Sequence, residues 1–149
     1  MTEITADNAA RQPFMPLMRE LVRSYQAFTA YDAKGLKPFG LTVPQADVIF
    51  TLGNTEGITF KEIGELTLTT KGTLTGIVDR LEARGLVRRV QENDDRRRTR
   101  VCLTAKGDKL FRGVFPRHIR YLKQRFDRLG RKEREQAEQS LRKLRDIFD

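Results

Sequence analysis

The chain has 149 residues, of which 38% are hydrophobic and 33% charged, with a net charge of +9, one cysteine and one histidine. That length suits one domain with a real core, and a lone Cys102 and a lone His118 exclude an internal disulfide and leave no ligand set for structural zinc. Apolar runs are no longer than the type of Val48-Ile49-Phe50, far short of a signal-peptide core or a membrane span, which predicts a cytoplasmic protein.

Residues 1–12 are polar and without pattern and read as a loose N-terminal arm. Over 13–36, Phe14, Leu17, Met18, Leu21, Val22, Tyr25 and Phe28 recur at helical spacing, with Pro13 and Pro16 tolerable only near the first turn. Gly35 to Gly40 breaks this helix. Thr42-Val-Pro-Gln45 reads as a capping box opening a helix with Ala46, Ile49, Phe50 and Leu52 inward. After a turn over 53–57, Thr59-Phe-Lys-Glu62 is a second capping box, opening a short helix with Ile63 and Leu66 inward.

The next helix is predicted from about Thr70 to Arg84, with Leu74, Ile77, Val78 and Leu81 on its inner face. At about 100° per residue, the outer face carries Gly72, Thr73, Gly76, Asp79 and Arg80, with Thr69 extending it. Gly85 is a C′ glycine with Leu86 as its hydrophobic partner. Residues 87–91 and 100–103 read as strands around an arginine-loaded turn over 92–98. Thr104 caps a helix whose Leu110, Phe111, Phe115, Ile119, Leu122, Phe126 and Leu129 approach the spacing of a coiled-coil seam. Gly130 breaks it, and a last helix carries Ala137, Leu141, Leu144 and Phe148.

Charge divides the chain. Residues 1–68 balance to −2 and residues 69–149 to +11, which points to a polyanion as partner. Helix, helix, strand, basic turn, strand is the order of a winged helix-turn-helix, whose second helix enters the major groove and reads bases near its N-terminus. Thr69, Thr70, Thr73 and Thr75 suit that task, since hydroxyls exchange hydrogen bonds with bases and phosphates and the threonine methyl packs on the thymine methyl. Gly72 and Gly76 cost helix stability, roughly 1 kcal/mol each, a cost that close approach of the backbone to DNA would justify. Arg96, Arg97 and Arg98 repel one another on a turn that does not require them, and a narrow minor groove would attract them. Asp94 and Asp95 are placed to aim them.

Leu41-Thr42, Gln45, Asp79-Arg80-Leu81, Gly85-Leu86-Val87, the Asp95-Arg96-Arg97 tip and Leu103-Thr104-x-x-Gly107, with eight residues from Asp95 to Leu103, resemble the MarR family pattern. The resemblance implies a mostly α protein with a small β-wing. A winged helix-turn-helix domain over 41–104 would be flanked by dimerisation helices over 13–36 and 105–149. It implies a homodimeric transcriptional regulator, usually a repressor, on a pseudo-palindromic operator of double-stranded DNA and often released by a small molecule. By position, Lys71, Thr73, Thr75 and Gly76 fall on the recognition helix and Arg97 on the minor-groove arginine. Gly76 departs from the larger polar or basic side chain frequent there, so that contact is absent or supplied by Arg80. The exposed apolar seams support dimerisation independently, because a monomer would leave them open to aggregation.

In such proteins the effector sits in a cleft between the dimerisation helices and the winged domain. Candidate lining residues are Tyr25, Phe28, Tyr31, Ile49, Phe50, Phe115 and His118, with Arg19 or Arg23 as partners for an aromatic or carboxylate effector. A lone helix histidine ordinarily lies at the surface, and is a polar anchor only in that cleft. Cys102, on the second wing strand, is not placed like the redox cysteine of the first helix in related proteins. No paired carboxylates, Ser/His/Asp set or phosphate loop appears, so neither an enzyme nor a cofactor is expected. The rival readings are a non-specific architectural nucleic-acid binder and a winged helix that binds protein. Threonines in place of lysines argue against the first, and the arginine cluster argues against the second.

Overall fold

In the computed structural model, which describes residues 2–67, 69–92 and 98–149, the chain forms two compact units, Met1–Val43 and Pro44–Asp149. The first unit holds a 3-10 turn at Ala9–Arg11, the helix α1 (Met15–Leu36) and a second 3-10 turn at Lys37–Phe39. Pro16 occupies the opening turn of α1, where no intrahelical N–H is needed. The helix runs through Gly35 and ends at Leu36, and Gly40 closes the following turn in the left-handed region. The apolar positions from Phe14 to Phe28 are largely exposed in the single chain.

The second unit contains α2 (Val43–Leu52, its first residue at the unit boundary), β1 (Ile58–Thr59), α3 (Phe60–Thr67), α4 (Lys71–Ala83), β2 (Val87–Gln91), β3 (Thr99–Leu103), α5 (Ala105–Phe126) and α6 (Arg131–Asp146). The strands form an antiparallel sheet in the order β1-β3-β2, with Val87 opposite Leu103 and Gln91 opposite Thr99. The β2–β3 hairpin is the expected wing, and β3 begins one residue earlier than predicted. The two-residue β1, too short to leave an alternating pattern, was not anticipated.

The core gathers Ala46, Val48, Ile49 and Leu52 of α2, Ile63 of α3, and Leu74, Ile77, Val78 and Leu81 of α4. The inner face of α4 is therefore the one its periodicity predicted. Leu66 is not inward as expected. It is 68% exposed, because an eight-residue helix turns too few times for two apolar residues to fix its buried face.

Capping explains several boundaries. Thr59 Oγ1 accepts from Glu62 N–H at 3.2 Å and the Glu62 carboxylate accepts from Thr59 N–H at 3.3 Å, a reciprocal capping box. At the end of α4, Leu86 N–H donates to Leu81 O at 3.0 Å and Gly85 N–H to Glu82 O at 2.9 Å. This is a Schellman closure, with Gly85 at φ +73°. Thr104 then ties two helices together: its hydroxyl accepts from Gly107 N–H at 3.0 Å and donates to Gly85 O at 2.6 Å. Lys106 Nζ adds a bond to Arg84 O at 2.9 Å, a cation at the carbonyl end of α4.

The helix α5 has two faces. Gly107, Phe111, Val114 and His118 are buried at four-three-four spacing. Beside them the anticipated seam is only partly covered, with Ile119 and Phe126 exposed. Leu141 and Phe148 are likewise exposed.

Candidate nucleic-acid interface

The recognition helix α4 presents Lys71, Thr73, Thr75 and Arg80 to solvent, with Gly76 half-exposed among them. Its N-cap Thr70 is extended, at φ −67° and ψ 150°, and makes no side-chain capping bond. The first amides of α4 therefore lack that cap and suit a phosphate oxygen.

Hydrogen-bond accounting separates the threonines. Thr75 donates its only hydroxyl proton to Lys71 O at 3.0 Å, which leaves lone pairs and a methyl for an outside group. Thr70 and Thr73 share one hydrogen bond at 3.0 Å, so one of the two hydroxyls keeps a proton to give away. Thr69 is half-buried, and its N–H donates to Gly64 O at 3.2 Å. The Thr67 hydroxyl lies within donating distance of Ile63 O at 2.7 Å and of the Thr69 hydroxyl at 3.0 Å, and the Thr69 hydroxyl donates to Thr67 O at 3.4 Å. Thr69 thus fixes the entry into α4, which the sequence pattern did not reveal.

Among the described residues, a Cβ added at Gly72 or Gly76 would meet no atom within 4 Å outside its own helix backbone and chain neighbours. Packing among the described residues does not require either glycine.

The wing carries Arg88 and Arg98 exposed, and Arg100 paired to Glu92 at 2.6 Å across the hairpin. Glu92 N–H donates to Arg98 O at 3.2 Å, which closes the ladder below the tip. Arg96 and Arg97, with Asp94 and Asp95, lie outside the described residues. Cys102 sits on β3 as expected, half-buried, with Sγ 3.3 Å from Glu56 O.

Arg89 on β2 received no role from the sequence. Its guanidinium binds Asp79 at 2.5 Å and Glu82 at 2.8 Å, and its carbon lies 5.6 Å from the Phe60 ring centroid. The Asp79 hydrogen bond, aided by attraction from Glu82 and Asp79, raises the pKa of this guanidinium above its ordinary value against some desolvation. Asp79 was read as part of the outward face. It is exposed, but engaged with the wing.

Of the effector candidates, Phe50, Phe115 and His118 come together. Phe50 lies 4.8 Å from Phe115 and 5.9 Å from His118, ring centre to ring centre, and Tyr121 continues the row at 5.8 Å from His118. His118 is 3% exposed, which corrects the expectation of a surface histidine. Its place in the buried four-three-four row of α5 puts it there, although no apolar pattern includes histidine. Ile49 is buried in the core. Arg19, Arg23, Tyr25, Phe28 and Tyr31 all lie on α1. A surface cleft of about 310 Å³ is lined by Asp47, Phe50, Thr51, Leu66 and Thr67. Among the described residues no helix is long and apolar enough to cross a membrane.

A short helix followed by an exposed recognition helix and a basic hairpin defines a winged helix-turn-helix protein. Residues 39–98 match the family model described as the MarR family. TtmR of Methylorubrum extorquens, named as an HTH-type transcriptional regulator, is 45% identical over 67 residues, 45% of this chain and 34% of that protein. Among solved structures, AbsC, a MarR family regulator from Streptomyces coelicolor, superposes with TM-score 0.81 at 24% identity over 99% of this chain and 98% of its own, a likeness of fold. A probable transcriptional regulator from Pseudomonas aeruginosa is 30% identical, with TM-score 0.72 over 83% of this chain and 92% of its own. BpsR of Bordetella bronchiseptica, whose DNA binding is regulated by 6-hydroxynicotinic acid, is 26% identical, with TM-score 0.77 over 87% of this chain and 98% of its own. Residues 39–98, about two-fifths of the chain, are thus similar to the MarR family, whose members are transcriptional regulators and not enzymes, and the whole chain shares the fold of such a regulator. It spans from about a third to under three-fifths of the length of the curated relatives it matches.

Proposed function

We propose that this chain is a homodimeric, sequence-specific regulator of transcription, a repressor released from a pseudo-palindromic operator by a small aromatic or carboxylate effector. The observation that carries the reading is the outer face of α4. Between Lys71 and Arg80 it offers small polar groups with defined hydrogen-bonding capacity and two glycines, directly before a basic hairpin. A non-specific phosphate binder would do better with lysines there. Thr70, Lys71, Thr73, Thr75, Gly76 and Arg80 read or approach the major groove, Thr69 sets the start of the helix, and Arg96, Arg97 and Arg98 grip the minor groove. Dimerisation is supported by the exposed apolar residues of α1, α5 and α6. A two-fold pair sets recognition helices about 34 Å apart, one turn of duplex. The effector reading is supported by the Phe50, Phe115 and His118 cluster and by the regulation of BpsR by an aromatic acid.

Mobility shifts test this with the DNA upstream of the coding region against a random duplex at physiological salt. Preference for the upstream DNA, weakened by aromatic acids, is expected, whereas equal affinity for both duplexes would show an architectural binder. Arg97→Ala should weaken operator binding by about 1 kcal/mol or more and flatten its salt dependence. An unchanged salt slope would remove the wing from the interface. Substitution of Thr73 should change base preference rather than overall affinity.

A further inference from the structure

Arg89 sits in the middle of the wing ladder, opposite Val101, so its side chain shares a sheet face with a fully buried residue. From there it reaches both helices of the helix-turn-helix. Its two terminal nitrogens take Asp79 and Glu82, three residues apart on α4, and its face lies toward Phe60 at the start of α3. The backbone N–H of the same residue donates to the second Glu82 oxygen at 3.3 Å. The guanidinium side chain is 27% exposed, far less than most of the surface ion pairs of α5 and α6. The two-residue β1 backs β3 only at Val101 and Arg100, and beyond it the wing is a two-stranded ribbon, which twists and bends easily. Here one planar group on β2, fitted to two carboxylates of α4, spans ribbon and helix.

We infer that Arg89 is a positioning residue that locks the wing to the recognition helix, so that the groove contacts of α4 and those of the wing arginines form as one unit. This rests on the DNA-binding reading above. Holding the ribbon in advance spares the complex the entropy of ordering it. Charge alone does not describe the role, because a lysine ammonium cannot present two diverging N–H donors to two carboxylates. Arg89 also neutralises two acidic groups on the helix proposed to face phosphate, and the test must separate the two effects.

Operator affinity is to be measured for the wild type, Arg89→Met, Arg89→Lys, the triple change of Arg96, Arg97 and Arg98 to Ala, and Arg89→Met combined with that triple change. Thermal unfolding serves as the control for folding. Arg89→Met should weaken binding roughly fivefold or more, and Arg89→Lys should fall with it. In the Arg89→Met background the triple change should cost little further, since the wing no longer docks in register. Strictly additive costs overturn the proposal, because distant sites acting separately add. Full rescue by lysine overturns it as well, as does a wing that loses its arginines at no cost. If Arg89→Met does not fold, the Asp79→Asn, Glu82→Gln pair removes both acceptors and enters the same cycle with the same expected coupling. A wild type that binds no DNA sinks the regulator reading and this proposal together, whereas additivity in a wild type that binds sinks only the proposal.

Discussion

Gly107 and Gly76 are both glycines inside helices, and their surroundings give them opposite meanings. A Cβ at Gly107 would lie 1.9 Å from Leu86 O, the same carbonyl that accepts from Thr104 N–H. Gly107→Ala should therefore force α5 away from the end of α4 and cost about 1–3 kcal/mol, read by urea denaturation. At Gly76 a Cβ meets open space, so Gly76→Ala should instead stabilise the fold by about 0.5–1 kcal/mol. A destabilised Gly76→Ala variant would mean that its backbone is held in a way the contacts do not show. The sequence marked Gly107 as a motif letter without its reason, the seating of a carbonyl. It gave Arg89 no mark at all, because an arginine on a strand becomes informative only when Asp79 and Glu82 from another element meet it.

At the scale of the element, boundaries follow from local chemistry. The end of α4 depends on Gly85 at φ +73° and on the two bonds that close the helix around it. Gly85→Ala should cost about 1–2 kcal/mol, because an L-residue is strained there. A melting temperature equal to that of the wild type would contradict the closure. The capping box at Thr59 and Glu62, the cap at Thr104 and the inner face of α4 were all legible for the same reason: each depends on residues a few positions apart. The inward reading of Leu66 failed, and β1 went unseen, because a short segment takes its orientation from neighbours distant in sequence.

At the scale of the whole molecule, the open question is what covers the apolar faces of α1, α5 and α6. On the dimer reading, Ile119→Glu with Phe126→Glu should turn the protein into monomers and weaken operator binding. Both side chains are exposed in the single chain, so the fold itself should survive. Sedimentation equilibrium decides this, and a variant that remains dimeric would move the interface elsewhere.

The sequence by itself determined the order of the helices and of the wing strands, the closures between them, the polar outer face of α4 and the family resemblance. These are written in spacings of two to four residues and in motifs that keep their register along the chain. Only the tertiary structure decided that His118 is buried beside Phe50, that the hydroxyls of Thr67 and Thr69 meet at the entry to α4, and that Arg89 joins the wing to the recognition helix. The physical reason is that burial and ion pairing depend on which surfaces meet. Polar residues such as these carry no periodic signal of the side on which they will lie.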